Sequence, residues 1–242
     1  IELMEIGVAL TSERDLTRLL SLILERSKDI TSCDSGSLYL VEDDDVATPD
    51  SGTPGRGAKK QRLRFKISSM KLEQDEFTLP INDKSVAGSV ALNGKTVNIE
   101  DVYEIPADAG YRFNNAFDKE HGYRTKSMLV VPMKNHRDEA IGVLQLINKK
   151  TNRFAALRPP DDAEREVIPF TNHDEELALS LAGPAAVAIE NNMLLRSIEG
   201  LFEGFVKASV TAIESRDPTT SGHSQRVADY TVELARVVDL AG

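Results

Sequence analysis

Two apolar runs on either side of a short polar turn restrict the possible folds of this chain more than any other feature. Ser127-Met128-Leu129-Val130-Val131-Pro132-Met133 and Ala140-Ile141-Gly142-Val143-Leu144-Gln145-Leu146-Ile147 flank the turn-prone His136-Arg137-Asp138-Glu139. Strand formers in runs of this length, bounded by turn residues, predict a β-hairpin. Upstream, Gly36 to Glu42 reads as another strand, and Leu63-Arg64-Phe65-Lys66-Ile67 alternates apolar and basic residues as a half-exposed strand does. The Pro-, Gly- and Lys-rich stretch from Thr48 to Arg62 is too polar and broken to pack, and is expected to be an exposed hairpin loop joining the two.

Helical spacing brackets the strands. From about Leu3 to Ile30, the residues Leu16, Leu19, Leu20, Ile23 and Leu24 recur at three- and four-residue steps, with Ser12 and Arg14-Asp15 as cap and first turn. A short helix is expected around Val86-Ala87-Gly88-Ser89-Val90, then an extended piece at Thr96 to Ile99 and an irregular stretch from Asp101 to Tyr123. After a polar excursion from Thr151 to Pro169, apolar periodicity resumes at Leu177 and continues to Phe205. Leu195, Ile198, Phe202 and Phe205 form one seam, suited either to a partner helix or to packing back on the sheet. The fold class is α+β: an antiparallel sheet backed by N- and C-terminal helices, the last one long.

A net charge of -10 and a pI near 5.0 disfavour a nucleic-acid partner, because a phosphate backbone is repelled over most of such a surface. No apolar stretch approaches the roughly 20 residues needed for a membrane span. The chain reads as cytoplasmic, and its opening on Ile1 marks it as an excised piece. The single cysteine, Cys33, precludes an internal disulfide and paired-Cys zinc ligation, and buried inert packing is expected for it. His121, His136 and His173 lie in polar contexts that favour solvated imidazoles.

Several short motifs occur in a telling order. Val86 to Val90, Asn98-Ile99-Glu100-Asp101-Val102-Tyr103, Phe113-Asn114 and Gly122 to Ser127 are followed by Asn148-Lys149 and then by Phe170-Thr171-Asn172-His173-Asp174-Glu175. Together they resemble the GAF domains of cyclic-nucleotide phosphodiesterases and adenylyl cyclases, over about Leu16 to Asn192. The resemblance implies a sheet capped by loops and short helices around a small ligand, a cyclic nucleotide among the candidates. It implies ligand contacts from Ser37, Phe65, Val86, Ala87, Asp101, Tyr103, Asn115, Thr125 and Gln145. A cyclic phosphate suits backbone N–H groups at a helix N-terminus, and small residues near Val86-Ala87-Gly88 would let that backbone approach. Asn148, Lys149, Phe170, Asp174 and Glu175 are implied as a structural signature, with an ion pair between Lys149 and Asp174.

A second, denser stretch runs Ala212-Ile213-Glu214-Ser215-Arg216-Asp217-Pro218-Thr219-Thr220-Ser221-Gly222-His223-Ser224-Gln225-Arg226-Val227-Ala228. It resembles the opening of HD-GYP domains, metal-dependent phosphodiesterases that hydrolyse cyclic di-GMP. Glu214 and His223 would then be metal ligands in a complete domain with iron- or manganese-type divalent ions. Two ligands do not make a site, so no catalytic residues and no cofactor are expected within this piece. The expected organisation is a sensor domain over 1–192, a connecting helix over 193–211 and the start of the hydrolase over 212–242. Its expected role is to bind a small ligand and signal to that hydrolase, as a homodimer through terminal helices. The rival expectation is a ligand-free dimerisation module.

Overall fold

The computed structural model describes residues 7, 9–10, 12–43, 61–68, 77–155, 157, 161–214 and 223–241. The loop expected over Thr48 to Arg62 lies outside them except for its last two positions, which belong to a strand. In order, the elements are α1 (Leu16–Thr31), β1 (Cys33–Asp43), β2 (Gln61–Ser68), β3 (Thr78–Pro80), α2 (Val86–Asn93), β4 (Val97–Ile99), α3 (Ala116–His121), β5 (Met128–Lys134), β6 (Ala140–Lys150), α4 (Asp161–Glu166), β7 (Val167–Ile168), α5 (Asn172–Glu214) and α6 (His223–Ala241). By contacts the chain divides into two units, Ile1–Asn192 and Met193–Gly242.

The strands form one antiparallel sheet in the order β3-β2-β1-β6-β5-β4, with β7 paired to the end of β6. The expected hairpin is β5–β6, which turns through Asp138 at a φ of 63°. Alternation along these strands sends successive side chains to opposite faces. Leu38, Leu40, Leu129, Val131, Met133, Leu144 and Leu146 face one core, covered by α1 and by Ala178, Leu181, Ala182, Ala185, Ala186 and Ile189 of α5. Tyr39, Phe65, Val130, Val143 and Ile147 face the other, where α2 adds Val86, Ala87 and Val90.

The helix-covered face is tightly closed. A Cβ added at Gly142 would lie 2.6 Å from the Tyr39 carbonyl oxygen and 2.5 Å from Met133 Cε, and one at Gly36 would lie 2.9 Å from Leu24 Cδ1. These strand positions therefore require glycine for close approach.

Two sequence expectations are corrected. Leu63, Phe65 and Ile67 would share a face in an unbroken strand, but the β1–β2 register shifts between Leu38 and Tyr39, pairing Leu38 with Ile67 and Tyr39 with Phe65. Lys66 is the extra residue of this bulge. It turns Phe65 to the α2 side and leaves Ile67 against the helix-covered core. The leading helix expected from about Leu3 is interrupted at 13–15. There the Asp15 carboxylate accepts from Arg18 N–H at 2.8 Å and caps α1, while Glu13 Oε1 accepts from Asp15 N–H at 2.8 Å. A side chain that satisfies a free helix-end donor fixes the start at Leu16.

α5 runs for 43 residues. At Asn192 it meets the approach to α1, because Asn192 is buried and donates from Nδ2 to the Arg14 carbonyl at 2.6 Å. The Asn191-Asn192 break in the apolar pattern is thus a fastening between the two ends of the sensor unit.

Candidate functional site

On the α2 side the sheet is incompletely filled, leaving a cavity of about 520 Å³. β1 and β6 supply a floor of Ser35, Ser37, Tyr39, Gln145 and Ile147. An aromatic wall rises beside it, with Phe65 and Phe77 stacked at 4.8 Å between centroids and Tyr39 set edge-on to both. Burial pushes the Tyr39 hydroxyl up to about 12, so it remains a neutral donor at physiological pH.

The first turn of α2 opens into the same chamber through Ser85, Val86 and Ala87. Ser85 caps this helix by accepting from Gly88 N–H at 3.1 Å, and the first turn carries no acidic residue. Gly88 itself does not line the cavity. A Cβ there would lie 2.6 Å from the Asn82 carbonyl oxygen and 2.8 Å from that of Pro80, so its smallness serves the seating of α2 on the preceding turn.

The roof is residues 112–127, and the stretch expected to be irregular over Asp101 to Tyr123 holds within it the short helix α3. Asp118 is its centre, 4% exposed and part of the lining. It accepts from Thr125 Oγ1 at 2.8 Å, from Thr125 N–H at 2.9 Å and from the Tyr103 hydroxyl at 2.8 Å. Tyr123 ties the roof to the sheet by donating to Asp34 Oδ2 at 2.8 Å and accepting from Asn148 Nδ2 at 3.0 Å. Burial, and then the Asp34 carboxylate, push the Tyr123 hydroxyl far above its ordinary value. Arg124 holds Asp101 through both guanidinium nitrogens, at 3.1 and 2.7 Å, with its guanidinium 4.3 Å from the Tyr103 ring centre.

Ser37, Phe65, Val86, Ala87, Thr125 and Gln145 all lie in the lining. Asp101, Tyr103 and Asn115 do not. The first is engaged by Arg124, the second braces Asp118 from behind, and Asn115 precedes α3 between the lining residues Asn114 and Ala116. Phe77, Arg112, Phe117 and Asp118 also line the cavity, and no motif in the sequence marks them. His121 is exposed but stacks on Phe117 at 4.2 Å at the cavity, so its surface context does not remove it from the site.

The signature residues join the roof to the long helix. Asn148 is fully buried with a φ of 58°, a left-handed conformation that asparagine tolerates better than most residues. Its Oδ1 accepts from Lys126 N–H at 2.7 Å and its Nδ2 donates to the Arg124 carbonyl at 2.8 Å. Next to it, Lys149 pairs with Asp174. Asp174 also accepts from Thr171 N–H at 2.7 Å and Thr171 Oγ1 at 2.6 Å, closing a capping box at the start of α5. Burial opposes its charge, but Lys149 and Thr171 outweigh burial and hold its carboxyl below the usual range. Phe170 is buried and its carbonyl accepts from Asn98 Nδ2 at 3.1 Å, while Glu175 starts the helix at the half-exposed margin.

An antiparallel sheet closed by helices on one face and roofed over a small-molecule chamber on the other defines a ligand-binding regulatory domain. The chain belongs to the GAF domain family, whose model matches residues 15–189. It is 29% identical over 207 residues to the dual 3',5'-cyclic-AMP and -GMP phosphodiesterase 11A of Takifugu rubripes, covering 83% of this chain and 21% of that protein. The chain therefore spans about a fifth of that relative. The GAF domain of a phosphoenolpyruvate-protein phosphotransferase from Coxiella burnetii superposes with a TM-score of 0.57 at 17% identity, covering 81% of this chain and 94% of that one. A GAF domain/HD domain protein from Geobacter sulfurreducens superposes with a TM-score of 0.50 at 14% identity, covering 78% and 98%. Among the described residues no helix is long and apolar enough to cross a membrane, and no group of three His, Cys, Asp or Glu is placed to hold a metal ion.

Proposed function

We propose that the cavity binds a cyclic nucleotide monophosphate and that the occupied state is passed through α5 to a downstream metal-dependent phosphohydrolase of the HD-GYP type. The observation that carries the ligand reading is one chamber of about 520 Å³ combining an aromatic wall with an open helix N-terminus. A purine ring fits against Phe65 and Phe77, while the phosphate takes the N–H groups of Val86 and Ala87 in a turn free of acidic side chains. Gln145 and Thr125 offer donor and acceptor groups for a base edge. The dual cyclic-AMP and -GMP specificity in the name of the Takifugu relative supports the same ligand class. A purely structural dimerisation module would have no need of a chamber of this size.

The downstream half of the proposal rests on the stretch from Ala212 to Ala228 and on the pairing of GAF and HD domains named for the Geobacter protein. Glu214 is the last residue of α5 and His223 the first of α6; their side chains, and residues 215–222 between them, lie outside the described residues. They would be two of several ligands for iron- or manganese-type ions, which activate water for phosphodiester hydrolysis when bound. These two donors alone do not fit a metal centre. The proposal places the module in the cytoplasm, where nucleotide second messengers are made.

Calorimetric titration with cyclic AMP, cyclic GMP and cyclic di-GMP tests the ligand reading, with heat from one of the monophosphates expected. Ala87→Glu, which sets a carboxylate in the first turn of α2, lowers that affinity about 100-fold or more, with the thermal transition of the variant read alongside because Ala87 is buried. Silence from all three nucleotides overturns it.

A further inference from the structure

The polar excursion between β6 and α5 meets the cavity roof from outside. The roof ends in Arg124-Thr125-Lys126, and these three side chains divide between two sides. Thr125 turns inward to the buried Asp118, while Arg124 and Lys126 both turn to one residue of α4, Glu164. Glu164 Oε2 accepts from Lys126 Nζ at 2.7 Å, and its Oε1 lies 3.3 Å from the Arg124 guanidinium. One carboxylate thus bridges the two cations that flank a cavity-lining residue.

The base of that carboxylate is fixed. Ala163, Val167 and Phe170 are buried, and β7 pairs with the end of β6. Thr151 N–H donates to the Glu166 carbonyl at 3.0 Å, and Thr151 Oγ1 to the Glu166 carboxylate at 2.8 Å. The two cations, by contrast, are held unequally. Arg124 has a second, two-point partner in Asp101, whose side chain is only 14% exposed. Lys126 pairs with no other carboxylate among the described residues, and the Glu164 side chain is 59% exposed. Water and salt compete for an exposed ion pair far more than for a half-buried one. The Asp101 contact is therefore a lasting anchor and the Glu164 contact a releasable one.

We propose that Glu164 is a latch that holds the roof of the cavity shut from outside and that ions release. Without it Lys126 keeps a positive charge beside Arg124 with no carboxylate of its own, and the stretch that presents Thr125 to Asp118 loosens while the sheet stays folded. The latch concerns the roof and not the molecule beneath it, so it and the nucleotide reading can fail separately.

Amide hydrogen exchange of the chain without added nucleotide, read by NMR at Thr125 N–H, is the test, because that group donates to Asp118 and not to Glu164. Glu164→Gln speeds its exchange about ten-fold, Lys126→Gln does the same, and the double variant adds nothing further. Raising salt from about 10 mM to about 1 M speeds it in the wild type and leaves Glu164→Gln unmoved. Arg165→Gln, at the next residue of α4, whose ion pair with Asp162 stays within that helix, changes nothing. Exchange at Thr125 that is indifferent to Glu164→Gln, or to salt, overturns the latch. Additive effects of the two variants overturn it too, since the residues would then act apart. An equal acceleration at the amides of β6 also overturns it, by showing a general loosening and not a released roof.

Discussion

The two faces of one sheet are built to opposite specifications. On the side of α1 and α5 there is no room for a single methyl group at Gly142 or Gly36. On the side of α2, a few ångströms away through the same strands, about 520 Å³ stands open. The closed face draws on Leu, Ile, Val and Ala, whereas the open one uses aromatic rings, hydroxyls and a roof held by hydrogen bonds. Close packing leaves no freedom to adapt, so stability resides on one face and recognition on the other.

That contrast can be broken by substitution, beginning where the largest effect is expected. Gly142→Ala forces a Cβ onto backbone and should cost about 3 kcal/mol in denaturant unfolding; a cost under about 1 kcal/mol would mean the helix-covered face is looser than it is drawn. Asp174→Asn, at the junction of the two faces, should cost about 2 kcal/mol at neutral pH by undoing the Lys149 pair and weakening the capping box. Because the folded carboxyl titrates below its unfolded value, this contribution is complete above the unfolded value of about 3.9 and is lost as pH falls through the lower folded one. The stability gap between wild type and variant should therefore close on acidification, and a gap independent of pH would remove the ion pair from the account. Ser37→Val, on the cavity floor, should cost about 1 kcal/mol, since its added methyl enters the cavity and only the hydrogen bond of its hydroxyl with Tyr39 is lost. The same substitution should weaken nucleotide binding in calorimetry; a stability loss as large as that of Gly142→Ala would erase the distinction between the faces.

Local pattern foretold most of the sheet because its information is local. The β5–β6 hairpin is visible in the strand formers on either side of His136 to Glu139, and α2 in the short run from Val86 to Val90, whereas the role of Gly88 in seating that helix on Pro80 and Asn82 is not. The bulge at Lys66 escaped notice because its cause lies in the partner strand: nothing between Leu63 and Ile67 marks where the register against β1 slips. The roof was legible only in fragments. Tyr123 reaches Asp34 across 89 positions of sequence, and Asp118 gains its place from Thr125 and Tyr103, which no periodicity connects to it. Asp101 and Tyr103, expected at the ligand, lie outside the cavity lining, a distinction set by side-chain direction within an irregular segment.

The margins of the sheet carry a consequence for how copies of the chain meet. Both end strands of its main run, β3 and β4, are three residues long, and β3 finishes on Pro80, which has no N–H to offer. Borders this short give an incoming strand too few hydrogen bonds to hold, so recruitment by β-augmentation is closed at either end. Among the described residues the sheet therefore offers no long border on which copies could stack without limit.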